Sequence, residues 1–141
     1  MTYSPNESPR IFPAFRFRNA AAMIDWLTKV VGFTVHARFD TDDSKVGHAE
    51  LALGSSMIML GDEKDDAFHQ VVGPAGSAGG KSLYIAVDDI DILWAKVSAS
   101  GATIEEGLTD RDYGSREFIC RDPEGNVWCF GTYWPKAGET S

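Results

Sequence analysis

Only two cysteines, Cys120 and Cys129, occur among the 141 residues, too few for a disulfide scaffold. No apolar run approaches the roughly 20 residues of a membrane-spanning helix. Basic residues are sparse: 13 Lys and Arg stand against 21 Asp and Glu, for a formal charge of −8. Arg10, Arg16 and Arg18 are the nearest thing to a basic cluster. A uniformly negative field repels phosphate backbones, so nucleic acid is not an expected partner, and neither is a membrane. Residues 1–10 are polar, carry two prolines and resemble neither a signal nor a transit peptide. The expectation is a soluble cytoplasmic protein. What is present is enough apolar sequence, 43% of residues, for one ordinary core.

An internal repeat of about 70 residues organises that sequence. In the first half a short apolar strand around Phe15 leads into Asn19-Ala-Ala-Ala-Met-Ile-Asp-Trp-Leu and then Gly32-Phe-Thr-Val. In the second, Tyr84-Ile-Ala-Val leads into Asp88-Asp-Ile-Asp-Ile-Leu-Trp-Ala-Lys-Val and then Gly101-Ala-Thr-Ile. Asn or Asp caps a helix of about ten residues in each half, and Gly32 or Gly101 ends it. Gly47-His-Ala-Glu50-Leu then aligns with Gly114-Ser-Arg-Glu117-Phe, and Met57-Ile-Met-Leu with Val127-Trp-Cys-Phe. Turn chemistry separates the two strands in both halves, Gly54-Ser-Ser in one and Asp122-Pro-Glu-Gly in the other. The expected fold is α+β, with two tandem βαβββ modules at residues 11–60 and 82–134 in one compact domain. Residues 1–10 and 135–141 would be tails.

Residues 61–81 read as a polar, glycine-rich linker or lid. Within it Ala75-Gly-Ser-Ala-Gly-Gly-Lys-Ser82 superficially suggests a phosphate loop. Ala75 replaces the first glycine of that motif, and a strand follows where a helix N-terminus is required, so the linker reading stands.

Period-two alternation sorts the strand faces. Pro13, Phe15, Phe17, Ala49, Leu51, Leu53, Ile58, Leu60, Leu83, Ile85, Val87, Phe118, Cys120, Trp128 and Phe130 form one apolar face. It should cover the helix stripes Met23, Ile24, Leu27 and Ile90, Leu93, Val97. The opposite face collects Phe12, Arg16, His48, Glu50, Met57, Met59, Tyr84, Glu117 and Cys129, the mixed aromatic, Met and polar lining of a small-molecule site. A solvated strand face is the alternative for His48 and Glu50, and core filler for the methionines. Cys120 and Cys129 fall on opposite faces, so no disulfide is expected between them. His36 and His69 read as isolated. Arg16 is expected to pair with Glu50 or Glu117, because buried carboxylates need partners.

Two successive βαβββ units with Arg121-Asp-Pro-Glu-Gly-Asn-x-Trp128 and Tyr84-x-x-Val-Asp-Asp-Ile-Asp resemble the vicinal oxygen chelate superfamily of glyoxalases, bleomycin-resistance proteins and extradiol dioxygenases. His48-Ala-Glu-Leu-x-Leu-Gly and Met59-Leu-Gly-Asp resemble its bleomycin-resistance-like branch. The resemblance covers residues 11–134 and implies a cupped mixed sheet around a central cavity, at or near a homodimer interface. It also implies metal ligands on the first and last strand of each module, and those positions here are Phe12, Met59, Ser82 and Cys129. Such a set does not hold a divalent ion, so no cofactor is expected. A relocated divalent site on His48, Glu50 and Glu117 is the alternative.

Two functions follow. The first is a homodimer that binds or sequesters a small organic molecule through Phe12, Arg16, His48, Glu50, Met57, Met59, Tyr84, Glu117 and Cys129, without the usual metal. The net charge would favour a cation. The second is a glyoxalase-type lyase or dioxygenase with a relocated metal, in which Glu50, Glu117 and His48 carry out the proton chemistry.

Overall fold

Helix formation begins with two side-chain caps. The Asn19 carboxamide oxygen accepts from the Ala22 N–H at 3.1 Å and starts α1 (Ala20–Trp26). The last turn of that helix widens into a π-turn over Leu27–Val31 and stops at Gly32, whose φ of 105° only glycine adopts without strain. Asp89 caps α3 (Ile90–Ala99) in the same way, accepting from Ile92 N–H at 3.1 Å. Both caps lie where the sequence places them.

The structure is a computed structural model that describes residues 8–76 and 79–138. The first module comprises β1 (Ala14–Phe17), α1, β2 (Thr34–Asp40), β3 (Val46–Leu53) and β4 (Ser56–Asp62). A short helix α2 (Ala67–Val72) follows. The second module comprises β5 (Leu83–Ala86), α3, β6 (Thr103–Asp110), β7 (Arg116–Arg121) and β8 (Val127–Gly131). Each module builds its own four-stranded mixed sheet, in the orders β1-β4-β3-β2 and β5-β8-β7-β6. The first strand of each runs parallel to the last, and the other pairings are antiparallel. The architecture is thus the expected α+β pair of βαβββ modules. Residues 1–7 and 139–141 of the expected tails, and 77–78 of the glycine-rich stretch, lie outside the described residues.

One core joins the modules. Phe17, Leu51, Leu60, Phe118, Cys120, Trp128 and Phe130 are buried together with Met23, Ile24, Leu27, Ile90, Leu93 and Val97. The helix-facing sides of both sheets are therefore the alternating sets read from the sequence. Trp128 sits at the junction, its ring 5.7 Å from Phe15, 6.3 Å from Trp26 and 6.4 Å from Phe33. Its indole N–H donates to Asp122 at 2.8 Å, so a fully buried tryptophan carries no unpaired donor. A side chain of this size contributes about 3 kcal/mol by burial alone. Trp94, in α3, is half-buried and packs on the core, edge-on against Phe118 at 5.1 Å.

A carboxylate reinforces the junction. Glu124, in the β7–β8 turn, accepts from the N–H groups of Arg18 and Asn19 at 2.6 and 2.7 Å. It is buried, and it satisfies donors at the start of α1 that the helix itself leaves open.

Candidate functional site

The sheet faces turned away from the core carry the candidate residues. In the first module β3 presents His48 and Glu50, both half-buried, and β4 presents Met57 and Met59. The His48 ring Nε2 lies 3.0 Å from Glu50 Oε2, and Phe39 stacks on the same imidazole. His36 is not isolated: its Nε2 lies 3.9 Å from Glu50 Oε1. It stands next to Val35, which pairs with Leu51, so the antiparallel register itself sets it beside Glu50 across β2 and β3.

In the second module Tyr84, Glu117, Ile119 and Cys129 line a cavity of about 370 Å³ together with Tyr113 and Tyr133. The two tyrosines lie outside the strands, on the turn before β7 and just after β8. Glu117 Oε1 accepts from Arg111 Nε at 3.1 Å and from the Tyr113 hydroxyl at 2.8 Å. Arg111 also binds Glu106. Burial alone would raise the Glu117 carboxyl, but hydrogen bonds from Tyr113, Ser115 and Arg111 outweigh it and hold the group below its ordinary value. Burial pushes the Cys129 thiol up, against a hydrogen bond from Ser82. Both cysteines are free, with Cys120 on the core side.

The floor of this cavity depends on Gly131. A methyl group there would lie 2.5 Å from the Tyr84 hydroxyl and 2.8 Å from Glu117 Cγ, so only a glycine lets both side chains cross β8.

Arg16 departs from expectation. It pairs with neither Glu50 nor Glu117 but makes a bidentate contact with Asp66, at 2.7 and 2.9 Å, and lies 5.0 Å from the centre of the Phe68 ring. Asp66 is also the N-cap of α2 and accepts from His69 N–H at 2.9 Å. The guanidinium and that amide hold its carboxyl well below the usual range. Helix α2 has no buried residue, and Phe68, Val71 and Val72 are exposed, so this polar latch is its principal anchor. Two further cavities, of about 640 and 260 Å³, lie along α2 and β1. Phe12, before β1, is exposed.

The repeat alignment of the third strands is also corrected. Glu117 pairs across its sheet with Gly131, whereas Glu50 pairs with Met59. Gly131 follows Phe130 as Gly61 follows Leu60, and Ala49 and Phe118 pair with Leu60 and Phe130 respectively. The structural counterpart of Glu117 is therefore His48, and that of Glu50 is Ile119. The structural alignment differs from the sequence alignment by two residues, and an even offset preserves the faces.

His48 and Glu50 thus stand together in one module, and Glu117 is engaged by Arg111 and Tyr113 in the other. Among the described residues, no three His, Cys, Asp or Glu side chains are grouped to hold a metal ion. At the positions where the resemblance implies ligands, Phe12 has no donor, Met59 offers a thioether, Ser82 a hydroxyl, and the Cys129 thiol is raised by burial. That donor set does not fit a hard divalent ion.

Paired βαβββ modules, each with an open face beside a shared core, define a class that comparison identifies. Residues 13–130 match the Glyoxalase/Bleomycin resistance protein/Dioxygenase superfamily, and the chain belongs to that family. It is similar to TioX from Micromonospora sp. ML1, at 26% identity and a TM-score of 0.73 over 89% of this chain and 99% of that one. A glyoxalase/bleomycin resistance protein from Streptomyces sp. CB03234 shares the fold, at 20% identity and a TM-score of 0.65 over 84% and 96% of the two chains. The uncharacterized protein Rv0887c of Mycobacterium tuberculosis is 27% identical over 132 residues, 92% of this chain and 78% of its own length. No helix among the described residues is long and apolar enough to cross a membrane.

Proposed function

We propose that this chain is a cytoplasmic homodimeric protein that binds a small organic molecule on the open faces of its sheets and holds it without a resident metal. The observation that carries the reading is the cavity of about 370 Å³ over β7 and β8, where tyrosine rings and Ile119 supply apolar area and Glu117 supplies one oriented charge. Arg16, in the latch of α2, is taken to position the helix beside the ligand. His48, Glu50, Met57 and Met59 are taken to offer a second, more polar surface on the first module.

The 3.0 Å contact between His48 and Glu50 favours a second reading, in which that pair acts as a general base in a lyase- or dioxygenase-type reaction. A thermal-stability screen with organic compounds, run with and without a chelator, separates the two. The binding reading predicts stabilisation by an organic class whether or not the chelator is present. Stabilisation by a divalent ion alone, followed by turnover that His48→Ala abolishes, would replace it with the enzymatic reading.

A further inference from the structure

We infer that the pocket formed by Tyr84, Tyr113, Tyr133 and Glu117 receives an alkylated ammonium group. This rests on the small-molecule reading above and names its ligand class.

The three rings meet at steep angles. Tyr113 and Tyr133 lie 6.3 Å apart and 82° from coplanar, and Tyr84 and Tyr133 lie 6.5 Å apart at 55°. Ring faces carry negative electrostatic potential, so three non-parallel rings around one cavity favour a compact cation over a flat neutral guest.

Two of the rings are pinned by their hydroxyls. Tyr84 donates to the Tyr133 carbonyl at 2.7 Å, and Tyr113 donates to Glu117. Both phenols are raised, Tyr84 chiefly by burial and Tyr113 chiefly by its bond to Glu117, which keeps them neutral.

Charge points the same way. Glu106 and Glu117 share the single guanidinium of Arg111, leaving one negative charge uncompensated beside the rings. Glu117 Oε1 already accepts two hydrogen bonds, so that oxygen presents charge to a guest more than a vacant acceptor. An ammonium carrying alkyl groups asks for charge and ring contact without needing a hydrogen bond. An anion would be repelled.

Exposure of the tyrosines, from 39% to 60%, leaves the pocket open to such a group. The competing occupant is a second copy of the chain, and the test includes it.

The test is titration of the full-length chain with choline and with 3,3-dimethylbutan-1-ol, its neutral isostere, followed by calorimetry at low salt. Choline should bind at least about tenfold more tightly than the alcohol. Tyr133→Ala and Tyr113→Ala should each weaken choline about fivefold or more, while Tyr113→Phe, which keeps the ring, should stay within about twofold. Glu117→Gln should weaken choline and flatten its salt dependence. Each variant is checked for an unchanged melting temperature, and Tyr133→Ala, at an exposed site, covers the case in which a Tyr113 variant misfolds.

Equal affinity for choline and the alcohol would overturn the inference. So would tyrosine substitutions that dissociate a dimer in light scattering while choline affinity is unchanged, which would assign the rings to a subunit contact. Stabilisation by neutral organic molecules with no response to choline overturns the ammonium class alone. Failure of every organic compound in the stability screen overturns the underlying reading as well.

Discussion

Replacing Gly131 by alanine isolates the open-face cavity from the fold that carries it. Gly131 lies in β8 opposite Glu117 on one side and Ala86 on the other, and its φ is not in the left-handed region, so alanine meets no backbone penalty. The effect is steric. The new methyl would stand 2.5 Å from the Tyr84 hydroxyl and 2.8 Å from Glu117 Cγ, both closer than real contacts allow, and a tight 3.0 Å from Tyr84 Cε2. Both side chains must swing off β8, which breaks the Tyr84 bond to the Tyr133 carbonyl and moves Glu117 away from Arg111 and Tyr113.

Overpacking costs roughly 1–3 kcal/mol where a core cannot yield. The Tyr84 atoms met belong to the far end of a half-exposed ring, but Glu117 Cγ lies in the stem of its side chain, so the middle of that range, about 2 kcal/mol, applies. The entropic advantage of alanine over glycine in a strand returns about 0.5 kcal/mol or more. The net of about 1.5 kcal/mol corresponds to a fall in Tm of about 5 °C for a chain of this size. Ligand affinity at the tyrosine pocket should fall at least about tenfold, because the pocket loses one wall and its charge is displaced. Gly107→Ala is the control, since a methyl there meets only Trp94, at 3.9 Å. The assay is calorimetric titration beside thermal melts of both variants. A Gly131→Ala protein that binds as tightly as the parent would refute the reasoning, and so would a collapse in Tm of 10 °C or more.

Other perturbations have equally defined outcomes. Glu124→Ala removes a buried carboxylate from the N–H groups of Arg18 and Asn19 and should cost about 3 kcal/mol in denaturant unfolding, with no change in ligand affinity. Asp66→Asn should speed hydrogen exchange at the amides of α2 while leaving those of α1 unchanged, because that helix buries no side chain of its own. The Asp66 carboxyl is depressed in the folded state. Its contribution is therefore present above the ordinary carboxylate pKa of about 4 and is lost only as pH falls through its lower folded value. Protection of the α2 amides, relative to their intrinsic exchange rate at each pH, should accordingly hold down to about pH 4 and fall only below it. Burial raises the Cys120 thiol to about 12 and shields it fully, whereas Cys129 is half-buried. A thiol reagent should therefore modify Cys129 slowly in the native protein and reach Cys120 only on unfolding.

The fold was legible because its signals are local. Asn19, Asp89, Gly32 and Gly101 mark both helix ends by cap chemistry. The alternation through Phe118, Cys120, Trp128 and Phe130 assigns faces without any knowledge of strand order, and an alignment error of two residues left the faces intact. The site was only half legible, because its geometry comes from places where periodicity is broken. Tyr113 and Tyr133 stand in turns beside their strands, where alternation assigns no face. Their closeness to Tyr84 depends on β5, β7 and β8 being neighbours. His36 neighbours Glu50 through the β2–β3 pairing register, which nothing in Thr34-Val-His-Ala alone announces. Asp66 lies inside a segment that reads as linker, so the sequence offers only Glu50 and Glu117 as partners for Arg16, which binds Asp66 instead. One signal could have been used: Asp66-Ala-Phe-His has the form of a helix cap, and a capped helix in a linker implies something that holds it.

The most direct test of the central claim is native mass spectrometry of the purified chain, with metal analysis of the same sample. The expected species is a dimer that carries an organic molecule, or takes one up on addition, with no stoichiometric metal. One tightly held divalent ion per subunit, in a protein that takes up no organic molecule, would contradict it.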